Sequence, residues 1–198
     1  MRLSLVMILA GCTDRPQAGP PPSDPFVAQD VIVHSASERL VVRAAQARVD
    51  EEVIQGEGVR AEAPGLAIEA QRSSWSFATR QATFDGDVVA IRGETTLTCS
   101  HLSVTLGSGE QIERAVADGG VVVQQADRRA TADRAVLVGA SGQVVLTGGP
   151  PVLSDPLRRL AGERIVLWLD DERVECDSCK LILQGDAIGA APGSSPPD

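Results

Sequence analysis

Leu97-Thr98-Cys99-Ser100-His101-Leu102-Ser103-Val104-Thr105-Leu106 reads as an alternating strand with one residue too many. If a period of two ran through it, positions 97, 99, 101 and 103 would share a face. The apolar series resumes instead at 102, 104 and 106. One extra residue flips the parity, and a bulge or sharp bend absorbs it while keeping the apolar side chains on one side. The pattern recurs as Val42-x-Ala44-x-x-Ala47-x-Val49 and as Ile68-x-Ala70-x-x-Ser73-x-Trp75-x-Phe77. It returns as Ala130-x-Ala132-x-x-Ala135-x-Leu137, as Leu160-x-Gly162-x-x-Ile165-x-Leu167-x-Leu169 and as Val174-x-Cys176-x-x-Cys179-x-Leu181-x-Leu183. Small residues at the step let two apolar half-strands approach at a corner. Each copy is therefore expected to be one strand that serves two sheets.

The anchors at 44, 70, 99, 132 and 162 lie 26, 29, 33 and 30 residues apart, room for a strand, a turn, a return strand and a turn. The last anchor, 176, follows after 14, which predicts a tight hairpin around Asp170-Asp171-Glu172. Between the copies run strands that carry a glycine: Phe84-x-Gly86-x-Val88, Ala117-x-Gly119-x-Val121-x-Val123 and Val144-x-Leu146-x-Gly148. No stretch sustains a helical period. Residues 30–186 thus read as an all-β two-sheet roll whose units bury their faces only against neighbours. Its apolar lining is read as Leu97, Leu102, Val104, Leu106, Val121, Val123, Leu137, Leu146, Ile165 and Leu167.

The 198 residues fit one domain, and the formal charge is −9. Lys180 is the sole lysine and the arginines are scattered among acids, so no basic stripe for nucleic acid exists. With three Phe, two Trp and no Tyr, the apolar content is aliphatic, which suits a hydrocarbon-like interior better than a stacking platform. Residues 1–11 read as a signal segment: Arg2, then the apolar run Leu3 to Ala10, too short to span a bilayer. Leu9-Ala10-Gly11-Cys12 matches a bacterial lipobox, so cleavage before Cys12 and acylation of its thiol are expected, giving a membrane anchor. The alternative is an ordinary signal peptide that contains a cysteine. Residues 12–29, with five prolines between Pro16 and Pro25, read as a tether, and 187–198 as a disordered tail.

Catalysis is not expected. Only His34 and His101 are present, and no nucleophile–base order or phosphate loop stands out. Cys99, His101, Cys176 and Cys179 have spacings compatible with zinc, but the cysteines also fill apolar columns of the repeat. An oxidising compartment favours a disulfide, either Cys176–Cys179 or Cys99 with one of that pair, and no metal. No cofactor is implied.

Phe84-Asp85-Gly86-Asp87-Val88-Val89, Gln111 to Val121, Arg129 to Ala135 and Gly142 to Val152 together resemble the OstA-like superfamily of periplasmic lipopolysaccharide-transport proteins, which includes LptA and LptC. The likeness covers about Ser74 to Leu183, and residues 30–77 share only the repeat. It implies an open β-jelly-roll, a V-shaped pair of sheets, with acyl chains of lipopolysaccharide, its lipid A part, held in the trough. From the residues alone, a closed sandwich that buries the same side chains against each other is the alternative. Partners implied are other such β-rolls or an inner-membrane export transporter, met by strand-edge docking. A lipid anchor at Cys12 departs from the family, whose bridging member is free and whose anchored member carries a transmembrane helix. Anchorage points to the inner membrane, with the outer membrane as the alternative, whereas the wording around Ala117 and Leu146 is closer to the bridging protein. A structural β-solenoid that scaffolds envelope partners without cargo is the alternative reading.

Overall fold

The computed structural model describes residues 6–7, 26–35, 40–50, 53–76, 78–107, 111–169, 171 and 173–183. Cys12, most of the tether and the 187–198 tail lie outside the described residues. The described chain is strand and turn, with no helix. Antiparallel neighbours follow one another in sequence along most of the sheet, and a short branch leaves this path near the C-terminal end. Among them β1 (Val6–Met7) is a two-residue strand paired with His34 and Val33 of β2 (Phe26–His34).

Why one continuous sheet becomes two faces is visible in the long strands. They are β3 (Val41–Val49), β4 (Val53–Ala63), β5 (Leu66–Ser76), β6 (Gln81–Arg92), β7 (Thr95–Leu106), β8 (Ile112–Gln125) and β9 (Arg128–Val138). Register breaks fall between Glu69 and Arg72, Asp85 and Val88, Thr98 and His101, and Asp118 and Val121. These are the parity steps of the repeat, and at them every strand turns a corner. On one side of this line lie Gln81–Asp85, His101–Leu106, Ile112–Asp118 and Arg134–Val138, the first leaf. On the other lie Val88–Arg92, Thr95–Thr98, Val121–Gln125 and Arg128–Ala132, the second leaf. The result is the bent two-sheet roll that the parity flips imply, in the V-shaped open form that the family resemblance implies.

Two details differ from the repeat as read in sequence. The glycine-bearing return strands are bent as well: Gly58, Gly86, Gly119 and Gly120 all take positive φ at the corner. Past β9 the corner becomes a break. The strands beyond it are β10 (Gln143–Thr147) with β13 (Arg164–Trp168) and β14 (Val174–Asp177) on the first leaf, and β11 (Val152–Ser154), β12 (Arg158–Ala161) and β15 (Lys180–Leu183) on the second. Gly148 and Gly149, both at positive φ, separate β10 from β11, and Gly162 separates β12 from β13.

The closed end of the V holds the best-buried side chains: Phe84, Val88, Val121, Leu146 and Ile165 are all at most 1% exposed. Trp75 packs edge-on against Phe84, with ring centroids 5.5 Å apart, and its Nε1 donates to Ser73 Oγ at 3.2 Å. Such edge-to-face pairs add about 0.5–1.5 kcal/mol beyond the area they bury. Outside the corner, the residues skipped by the apolar pattern form a cross-strand row. Glu57, Arg72, Asp85, His101, Asp118 and Arg134 stand opposite one another on successive strands. His101 Nδ1 lies 2.6 Å from Asp85 Oδ1, and Arg134 reaches Asp118 at 2.8 Å. Exposed pairs of this kind are each worth only about 0.2–1 kcal/mol, but hydrogen-bonded partners on neighbouring strands favour this register across the bend.

Candidate functional site

The inward faces of the two leaves do not fill the space between them. A cavity of about 80 Å³ lies between Leu66, Ile68, Ala90, Leu97 and Val123 of the second leaf and Leu102, Val104, Ala115, Ala117, Ala135 and Leu137 of the first. Alanine explains the gap. In register, Val104 stands opposite Ala82 on one side and Ala115 on the other, and Ala117 stands beside Leu102 and Ala135. Short side chains there leave room that leucines would occupy. A second cavity of about 40 Å³ continues toward β3 and β4 and shares Leu66, Ile68, Val104 and Ile112. A third, about 20 Å³, continues toward β14 and shares Val123 and Leu169. Together they make an interrupted apolar trough running across the strands.

Of the side chains read from sequence as lining, Leu97, Leu102, Val104, Val123 and Leu137 surround the central cavity. Leu106 lines the cavity toward the N-terminal strands, and Leu167 the one toward the C-terminal strands. Val121, Leu146 and Ile165 line none of the three and sit in the packed closed end. Sequence reasoning passed over Ala90, Arg92, Thr95, Ile112, Ala115 and Leu169, which also line the central cavity. Ile68 carries the repeat's own signal, whereas Arg92 and Thr95 flank a turn and read as solvated.

As it stands the trough is narrow, with room for a handful of waters. A long acyl chain enters only if the leaves part. Their rims are bridged where Gln125 Nε2 on the second leaf donates to the carbonyl of Leu169 on the first, at 3.2 Å. Beside it the Arg173 guanidinium stacks on Trp168, 3.6 Å from the ring centroid.

The cysteines serve packing and cross-linking. Cys176 and Cys179 are joined as a disulfide where the chain leaves β14 on the first leaf for β15 on the second. Gly162 lies against it, and a Cβ there would come within 2.9 Å of both sulfurs. Cys99 is free and buried, and burial pushes its thiol up to about 11. Its side chain faces inward while the His101 ring faces out to Asp85. Five strand steps, about 24 Å, separate β7 from β14. The four residues therefore do not converge on a metal, and no group of three or more His, Cys, Asp or Glu does so among the described residues.

Residues 67–173 match the family described as LptA/(LptD N-terminal domain) LPS transport protein. The chain belongs to this family. A similar solved structure is the crystal structure of LptH from Pseudomonas aeruginosa, described as the LptA-homologous periplasmic component of the conserved lipopolysaccharide transport device. Its TM-score is 0.56 at 16% identity, covering 61% of this chain and 95% of that one, a likeness of fold. No curated protein matches the chain significantly. The LptA/LptD_N match begins in β5 and ends just before β14, so it contains the central cavity and most of its lining.

Proposed function

We propose that this protein is a periplasmic, non-enzymatic carrier in lipopolysaccharide export, holding acyl chains of lipid A between its leaves. The observation that carries this reading is the central cavity, whose lining is aliphatic except for Arg92 and Thr95 at its rim. Each methylene moved into such a trough gains about 0.8 kcal/mol. The family description and the LptH likeness point the same way. Cys12 is the proposed acylation site, placing the domain on the inner membrane through its tether.

The ends of the sheet suit strand addition from similar rolls or from an export transporter. Phe26 and Val27 of β2 are 49% and 57% exposed at one end, and Leu181 and Leu183 of β15 are 54% and 72% exposed at the other. Edge strands with apolar side chains and unpaired backbone groups are ready templates for another strand.

Quenching of Trp75 tests the cargo reading, because its side chain lines the cavity beside Phe84. In a Trp168→Phe background, lipid A with brominated acyl chains should quench the remaining fluorescence saturably. Quenching no stronger than that by soluble bromide would leave the trough without cargo, and the scaffold reading would stand.

A further inference from the structure

The rim of the second leaf carries a polar row that the apolar interior does not explain. Arg92 ends β6, Thr95 opens β7, Gln125 ends β8 and Arg128 opens β9, and each stands opposite the next in register. All four border the trough: Arg92 and Thr95 at the central cavity, Gln125 and Arg128 at the C-terminal one. The facing rim is apolar, with Ile112, Leu137 and Leu169. Arg92 has no carboxylate within ion-pair distance among the described residues. On the outer faces Arg43, Arg60 and Arg134 are each paired with an acid, whereas Arg72, like Arg92, has none within ion-pair distance among the described residues.

In a chain of formal charge −9, an unpaired cation at the mouth of an apolar groove is a selective feature. It matches an amphiphile whose hydrocarbon lies inside and whose anionic head stays in water at the rim. Resting on the cargo reading above, we propose that Arg92, with Thr95 beside it, binds a phosphate group on the head of that amphiphile. The guanidinium offers paired N–H donors to phosphate oxygens, and the Thr95 hydroxyl adds another donor. Arg128 lies three strand steps along, about 14 Å, and is not part of this contact. Asp171 borders the same end and weakens the positive field there, so Arg92 is the principal contact.

The test is displacement of a fluorescent fatty acid from the full-length protein. The competitors are lipid A bearing its phosphates, the same lipid A after phosphatase treatment, and inorganic phosphate. Wild type should bind the phosphorylated form more tightly, and inorganic phosphate should not displace the reporter. Arg92→Gln should weaken binding of the phosphorylated form by about five- to tenfold, the scale of one partly exposed charged hydrogen bond, and leave the dephosphorylated form unchanged. Arg92→Lys should recover part of the loss, and Arg72→Gln on the outer face should change nothing. Equal affinity of wild type for both lipids, or equal weakening of both by Arg92→Gln, overturns the head-group site while leaving the trough intact. Displacement by inorganic phosphate alone overturns the commitment to an amphiphile. Failure of wild type to bind either lipid overturns the cargo reading itself.

Discussion

Replacing Gly119 by alanine separates two costs that the corner of the roll imposes on a side chain. Gly119 has φ 81° and its neighbour Gly120 has φ 63°. Both occupy the left-handed region, where a Cβ costs about 1–2 kcal/mol. Their surroundings differ. A Cβ on Gly119 would lie 2.9 Å from the Cβ of Ser100 on β7, whereas one on Gly120 meets nothing within 4 Å. Carbon–carbon contacts are favourable at about 3.5–4.0 Å, so Gly119→Ala must push β7 and β8 apart at the bulge. That overpacking adds about 1–3 kcal/mol. Gly120→Ala should therefore cost about 1–2 kcal/mol and Gly119→Ala about 2–5 kcal/mol. Ser100 is exposed, so Ser100→Gly removes the opposing atom without opening the core. Combined with Gly119→Ala, it should return most of the overpacking cost as a coupling energy. Urea unfolding followed by tryptophan fluorescence measures the wild type and the four variants. Equal losses for the two glycine variants, or no recovery in the double variant, would refute close approach at Ser100 as what holds the corner.

Two further expectations concern the anchor and the turn at Asp155. Labelled palmitate should enter the wild-type protein in cells and not Cys12→Ser, which should leave the membrane fraction; an unlabelled wild type would remove the lipoprotein reading. Asp155 accepts from the backbone N–H groups of Leu157 and Arg158 and from Arg158 Nε, at 3.0, 2.9 and 2.7 Å. The Arg158 side chain, foremost, holds the Asp155 carboxyl below its usual range. A lowered carboxylate contributes stability that is present above the unfolded value and lost as pH falls through the folded one, here below about pH 4. Asp155→Asn should accordingly show a shallower loss of stability on acidification, and an identical pH profile would contradict the assignment.

Much of the fold is legible in the parity flips, because an apolar series that changes phase at 99–102 or 132–135 has few ways to stay on one side of a sheet. What such a pattern gives is the inward face, not the depth along it. Leu146 and Leu137 share the inward face, yet one is packed in the closed end and the other borders the cavity. Depth depends on distance from the corner and on which neighbours are alanine, and both need the register. The polar rim row is hidden for a similar reason. Arg92-Gly93-Glu94-Thr95 and Gln125-Ala126-Asp127-Arg128 each look like a solvated hairpin turn. Only pairing across β6 to β9 places their flanking residues in one line over the trough. The breaks beyond β9 escaped because Gly148, Gly149 and Gly162 read equally well as bulges in continuous strands.

Two adjacent positions on β7 decide whether the space between the leaves holds lipid. Val104 is 4% exposed and borders the central cavity. Thr105, on the opposite parity, pairs with Gln81 and Arg114 and faces outward. A photo-crosslinking residue introduced at 104 in cells should capture lipopolysaccharide, and the same residue at 105 should not. Equal capture at the two positions, or capture at neither, would contradict an interior that opens to cargo.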